Sequence, residues 1–326
     1  MKYFLFLLCL LPGLLFAKPN VVNIYNWSNY IPSSVISDFE HETGIHVNYT
    51  TYDQDETLYT KLKADPDIPY DVVFPSTYFV SRMAREHMLA KLDLSKLPNW
   101  RHLNPLLLHQ SYDPKNAYSL PYLWGSSSII VNTRYYSPKS LTRWQDLWQP
   151  RFKNQILLLN DIRDVFSMAL ISQGDSINTN DPEKIRRAYQ KLKSLLPNIK
   201  LFNNGATISI FADGDATVGM MLSGDALHAK QENANLHFIY PKDGVILSVD
   251  CMTIPINAPH VNNAYRFINY LLRPDIAKRI ALSTGYASPN LTAIKLMPKT
   301  MQQNPIIYPP KSVMQRAQTE AELSPK

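Results

Sequence analysis

Short apolar runs alternate with helix-period segments along almost the whole chain, and few folds accept that pattern. Val21-Val22-Asn23-Ile24-Tyr25 reads as a buried first strand. Pro32 opens a helix to about Thr43, with Val35, Ile36 and Phe39 at helical spacing and Gly44 as its stop. Ile45 to Tyr52 alternates as a second strand, and Asp53 to Glu56 fits a capping box for a helix carrying Leu58 and Leu62. Asp71-Val72-Val73-Phe74-Pro75 is a third strand, followed by a helix from Thr77 to Met88. Strand and helix in turn, with polar turns at the strand ends, predict a mostly parallel sheet.

A second block repeats the theme. Strands are expected at Gln155 to Leu159, Thr217 to Met221 and Val249 to Ile254. Helices follow from Asp161 to Ser172, from the Asp181-Pro182 cap to Leu196, from His260 to Leu272 and from Asp275 to Ser283. Asp225 falls in the helix after the Thr217 strand, and Arg316 to Glu322 reads as one short terminal helix. No low-complexity linker divides the blocks. The arrangement implies two α/β lobes with strand crossovers as the hinge and a ligand cleft at the strand ends between them.

Composition removes several functional classes. Hydrophobic residues are 45% of the 326 and charged residues 18%, enough for a real core. Pro outnumbers Gly 24 to 10, and neither Gly-x-Gly-x-x-Gly nor Gly-x4-Gly-Lys-Ser/Thr occurs, which excludes the standard nucleotide-binding fingerprints. Two Cys cannot build a zinc ribbon or an iron–sulfur site. No cofactor is expected.

Lys2 and the apolar run from Phe4 to Phe16, interrupted by Pro12-Gly13 and ending at Ala17, read as a secretory signal peptide over residues 1–17. A membrane anchor is the other reading, but the run is shorter than the ~20 residues a span needs. Cleavage after Ala17 removes Cys9 and leaves Cys251 alone between Val249 and Met252, where burial is expected and no intramolecular disulfide can form. The formal charge is +6, yet Lys and Arg are scattered among the acids, which excludes a nucleic-acid surface. A cationic ligand would therefore depend on local carboxylates acting against the mean field of the protein.

Catalytic signatures are absent from the pattern. The eight His form no His-Glu-x-x-His, and there is no Gly-x-Ser-x-Gly. An enzyme is not expected. What stands out instead is a set of segments joining aromatics to small polar residues at strand ends: Tyr25 to Tyr30, Pro75 to Tyr78, Asn160 to Phe166 and Thr284 to Leu291. Ser223-Gly224-Asp225 and Ser248-Val249-Asp250 add acids. Aromatic faces hold methylene chains and cations, and carboxylates pair ammonium groups, a chemistry suited to a flexible organic cation.

The chain strongly resembles the spermidine/putrescine-binding periplasmic proteins of bacterial ABC importers. The resemblance is carried by Tyr25-Asn26-Trp27-Ser28-Asn29-Tyr30-Ile31-Pro32, Tyr70-Asp71-Val72-Val73, Pro75-Ser76-Thr77-Tyr78 and Pro121-Tyr122-Leu123-Trp124-Gly125. Further on it is carried by Trp144-Gln145-Asp146-Leu147-Trp148, Val165-Phe166-Ser167-Met168-Ala169-Leu170, Leu271-Leu272-Arg273-Pro274-Asp275 and Gly285-Tyr286-Ala287-Ser288-Pro289-Asn290. It implies an α/β, two-lobed periplasmic-binding-protein fold, type II-like, each lobe a mixed sheet flanked by helices. The lobes are expected at residues 18–125 plus 249–294 and 126–248 plus 295–326. It also implies a monomer in the periplasm that delivers spermidine or putrescine to a membrane permease. A polyamine sensor of the same fold, or a binder of another small organic cation, is the alternative.

By the same resemblance Trp27, Ser28, Tyr30, Ser76, Tyr78 and Tyr286 match the family's first-lobe ligand positions. Asp161, Asp164 and Asp250 match its amine-binding acids, and Asp225 matches an acid typical of the putrescine branch. Leu222 and Ser248 stand where the family commonly has aromatic rings, and a polar contact from the tail falls near Glu320 if the alignment stays ungapped. Structural readings stand beside these. Asp161 and Asp164 would also cap a helix beginning at Ile162, Asp225 would also cap one, and Trp124, Trp144 and Trp148 read as core.

Overall fold

Val22, Ile24 and Tyr25 are buried in the first strand, as their run predicts. The structure, a computed structural model, describes residues 20–323, and the segment read as a signal peptide lies outside the described residues. The strand β1 (Val21–Trp27) leads into α1 (Ser33–Thr43), which stops where Gly44 takes φ 65°, a left-handed backbone that Gly adopts without strain. Then come β2 (His46–Tyr52), α2 (Asp55–Ala64), the two-residue β3 (Val72–Val73) and α3 (Thr77–Arg85). The capping box expected over Asp53–Glu56 does not form. Gln54 occupies the cap position without a side-chain bond, and Asp55 is turned into the protein.

The second block holds β4 (Ser119–Asn132), β5 (Ile156–Leu158), α4 (Ile162–Ile171), α5 (Pro182–Leu195), β6 (Ile199–Phe202) and α6 (Thr207–Ala212). It continues with β7 (Val218–Leu222), α7 (Ser223–Glu232), β8 (Leu236–Ile239), β9 (Val245–Thr253), α8 (Val261–Leu271) and α9 (Pro274–Thr284). Three short helices precede β10 (Ala317–Thr319).

The sheet runs β2-β1-β3-β9-β4-β7-β5-β6, with β8 also on β4 and β10 on β9. Parallel pairs form its two ends, β2-β1-β3 and β7-β5-β6, while β4 and β9 cross the middle antiparallel to each other. The sheet is mixed, not mostly parallel, because two long strands join its ends. β4 spans Ser119 to Asn132, pairing first with β9 and then with β7 and β8. One core packs α1, α8 and α9 against the β1 end, around Phe39 and Phe267. Another packs α4 and the buried Trp144 against the β5 end. Cys251 is buried on β9, as its neighbours predict. Trp124 and Trp148 are only half-buried, and the Trp148 indole donates to the Lys191 carbonyl.

The tail is a strand, not the expected helix. Ala317, Gln318 and Thr319 pair in parallel with Val245, Ile246 and Leu247. Their ladder bonds to the edge of β9 that β4 does not pair outweigh the helical preference of the run. Among the described residues no helix is long and apolar enough to cross a membrane.

Candidate functional site

Strand ends and helix starts meet in a cleft of about 660 Å³. All ten residues singled out from the sequence line it: Trp27, Ser28, Tyr30, Ser76, Tyr78, Asp161, Asp164, Asp225, Asp250 and Tyr286. Glu320, Leu222 and Ser248 line it too, and Leu222 and Ser248 leave their part of the wall without an aromatic ring. Asp53, Asp55, Thr207 and Asn204 also reach the cleft without having been marked in the sequence. The lining thus holds seven carboxylates against one imidazole, His228, on a chain whose formal charge is +6. Among the described residues no group of three or more His, Cys, Asp or Glu side chains is placed to hold a metal ion.

Asp250 lies on β9 opposite Leu123 of β4, where the two long strands cross. Both its oxygens are engaged: the Tyr30 hydroxyl donates to Oδ2 at 2.5 Å and the Ser76 hydroxyl to Oδ1 at 2.9 Å. Burial pushes the Asp250 carboxyl up to about 6, with the Tyr30 and Ser76 bonds pulling the other way. A carboxylate in such a place is costly to ionise unless a cation meets it.

Asp161 caps α4, accepting the backbone N–H groups of Arg163 at 2.8 Å and Asp164 at 3.0 Å on the same oxygen. The capping role is therefore real. It uses one oxygen, and Oδ2 is left for the cleft. Asp164 stands one turn along, and burial followed by the charges of Asp161 and Glu320 raises its carboxyl well above the usual range. Glu320 arrives from the tail, accepts the Ser167 hydroxyl at 3.1 Å and lies 4.0 Å from the Arg163 guanidinium. Burial raises its carboxyl as well. The same guanidinium sits 5.3 Å from the centre of the Tyr78 ring. Its charge therefore offsets part of this acidic end.

Asp225, in the first turn of α7, is already served: Thr207 donates at 2.8 Å and the Tyr286 hydroxyl at 3.0 Å. Here the structure supplies partners that the sequence did not suggest. The Tyr286 ring meets Tyr30 edge-on with centroids 5.5 Å apart. Trp27 is held by its indole N–H on the Phe74 carbonyl at 2.9 Å and packs at a tilt on Tyr52. Ser28 donates to Asp53 at 2.9 Å.

The two walls touch around the cleft. Gln54 reaches the Asn160 carbonyl at 3.1 Å, Asn204 reaches the Asp53 carbonyl at 3.4 Å, and Thr77 donates to the Glu320 carbonyl at 3.0 Å. The geometry is that of a closed acidic and aromatic box. It can desolvate a slender polycation, pairing its charges with carboxylates and its methylenes with rings.

A family model described as bacterial extracellular solute-binding protein matches residues 34–309. The spermidine/putrescine-binding periplasmic protein of Salmonella typhimurium strain LT2 is 44% identical over 285 residues, 87% of this chain and 82% of that relative. A solved chain from Listeria monocytogenes superposes with a TM-score of 0.90 at 38% identity, covering 94% of each chain. The spermidine/putrescine ABC transporter substrate-binding protein PotD of Streptococcus pneumoniae superposes at 0.79 with 34% identity, over 94% of this chain and 93% of that one.

Proposed function

Since the chain belongs to the bacterial extracellular solute-binding proteins, alongside the spermidine/putrescine-binding periplasmic proteins, we propose that it binds a polyamine in this cleft and delivers it to the permease of an ABC importer. One observation carries the reading: seven carboxylates converge on a cleft of a protein that is otherwise net positive. Such a concentration is costly without cations to neutralise it and favourable with them. No bond is made or broken. Asp250 anchors one ammonium near the strand crossover, Asp161, Asp164 and Glu320 receive another, and Trp27, Tyr30, Tyr78 and Tyr286 cover the methylenes. Ligand stabilises the closed form through its greater affinity for that form. The protein acts as an exported monomer in the periplasm, its leader removed after Ala17.

Titration calorimetry of protein freed of carried-over amine by unfolding and refolding tests the reading. Putrescine, spermidine, norspermidine and spermine form the panel. Saturable one-to-one binding of at least one is expected. No binding by any of them would overturn the polyamine reading and turn attention to the ring-poor wall at Leu222 and Ser248.

The raised Asp250 carboxyl gives a pH dependence of known sign. In the free protein its folded value, about 6, exceeds the usual 3.8. This group's contribution to the stability of the free form is present below about 4 and lost as pH rises through 6. A bound ammonium favours the carboxylate, so below pH 6 binding must first expel a proton. Affinity is expected to fall about tenfold per pH unit there from this group alone. Thermal unfolding with and without spermidine checks it: the ligand-induced rise in Tm should be smaller at pH 5 than at pH 7. An equal rise at both would remove Asp250 from the ammonium site.

A further inference from the structure

Residues 134–200 carry twelve Lys and Arg against six Asp and Glu, a net +6 that equals the formal charge of the whole chain. Two of those acids, Asp161 and Asp164, face the cleft, so the outer surface of the stretch is more basic still. Single helical turns at Pro138–Ser140, Trp144–Trp148 and Pro150–Phe152 send Leu141, Trp144, Leu147 and Phe152 into the core. The same turns leave Arg134, Lys139, Arg151 and Lys153 exposed. Hydrogen bonds hold this layer together: the Tyr136 hydroxyl donates to the Arg151 carbonyl at 3.2 Å, and the Arg151 guanidinium donates to the Ser140 hydroxyl at 2.9 Å. Among the described residues none of the four cations pairs with a carboxylate, whereas Arg163, Arg187, Arg273 and Arg279 all do. Apolar tips stand beside them. Tyr135 is 60% exposed and Leu196 55%, and the Asn154 N–H donates to the Pro197 carbonyl at 3.0 Å, which sets Leu196 near Lys153. The layer lies at the end of the sheet away from the cleft: Val131 closes β4 opposite Val218, the first residue of β7, and β5 begins just after Lys153. Asp213, Asp215 and Glu232 are exposed near this end too, but they belong to the layer of α6 and α7 on the other face of the sheet.

We propose that this basic face docks on a bilayer rich in anionic phospholipid and holds the protein at the membrane surface with its cleft free. Unpaired cations are drawn to anionic headgroups, and an exposed Tyr and Leu among them are the side chains that enter the headgroup layer. A polysaccharide or nucleic-acid partner would use the cations but not the apolar tips. Because the cleft sits at the opposite strand ends, ligand and membrane do not compete for the same surface. With no lipid chain to anchor it, the contact is reversible and weakens with salt. The proposal goes beyond the polyamine reading and does not depend on it. The competing view, a solvated face that only keeps the protein soluble, predicts no preference for any lipid.

Co-sedimentation of the exported protein with vesicles separates the two. It should bind vesicles of phosphatidylglycerol mixed with phosphatidylcholine, leave pure phosphatidylcholine vesicles unbound, and be released as salt rises from ~0.05 to ~0.5 M. The fourfold variant Arg134→Gln, Lys139→Gln, Arg151→Gln, Lys153→Gln should bind the anionic vesicles on the order of several hundred-fold more weakly, at about fivefold per charge. A control with Lys91, Arg101, Lys115 and Lys295 each changed to Gln removes as much charge from exposed positions outside the stretch and should stay within about tenfold of the wild type. No binding of the anionic vesicles by the wild type, equal binding of both lipids, or an equal loss in the two variants would each overturn the proposal. Capture by heparin without capture by the anionic vesicles would also overturn it, in favour of a polysaccharide partner. Spermidine titration of the same samples is a separate readout: wild type that binds the vesicles but no amine would sink the polyamine reading and leave this one standing.

Discussion

Asp161→Asn combined with Asp250→Asn is expected to abolish measurable polyamine binding, a loss on the order of 1,000-fold or more. Truncating one partner of a buried, hydrogen-bonded charge pair costs about 2–5 kcal/mol, and the two acids face different parts of the ligand. The substitutions suit the test because together they give up only one accepted hydrogen bond, at position 250. Asn is as good a helix cap as Asp, so the amides of Arg163 and Asp164 keep an acceptor at position 161. At position 250 the amide oxygen still accepts one of the Tyr30 and Ser76 hydroxyls, and a costly buried charge disappears. The ligand-free double variant should therefore unfold at or near the wild-type temperature while calorimetry detects no saturable heat. Unchanged affinity would place the ligand elsewhere.

The parts of the fold legible in the sequence are those fixed by local pattern. The β1 to α3 run follows directly from the apolar spacing of Val22, Ile24, Val35 and Phe39 and the stop at Gly44. β4 escaped for a physical reason. Pro121, Gly125 and the Ser126 to Ser128 run look like breakers, yet the strand is buried through most of its length, and its neighbours β9, β7 and β8 supply the missing stability. The tail misleads in the opposite sense. Gln318 and Glu320 favour a helix locally, but the unpaired edge of β9 and the Ser167 and Arg163 side chains draw the segment into a strand. Among the site residues, Asp250 was visible because an acid inside an apolar strand demands a partner. Asp55 was not: an acid at a helix start has a ready capping explanation, and only tertiary burial shows that it faces inward.

Gly224→Ala should weaken polyamine binding by roughly 5- to 150-fold, corresponding to the 1–3 kcal/mol that overpacking costs. A Cβ at 224 would stand 2.5–2.7 Å from Cε2, Cδ2 and Cζ of Tyr286, well inside contact distance. The ring has little room to retreat, because Gly125 lies close against its other edge, where even a methyl group would meet Cδ1 at 3.0 Å. Two glycines, one on β4 and one on α7, thus clamp the ring, while its hydroxyl is tied to Asp225 and its edge to Tyr30. Tyr286 follows α9, which packs with the β1 end of the sheet, whereas α7 packs with β4, β7 and β8. The clash therefore falls between the two walls of the cleft and penalises their approach more than the folding of either. The variant should scatter X-rays as a more open particle in the presence of spermidine than the wild type does, with little change in ligand-free Tm. A wild-type affinity would show that closure does not depend on the seat of this ring. A large fall in ligand-free Tm would show instead that the clamp belongs to the folded core, and that its effect on binding is secondary.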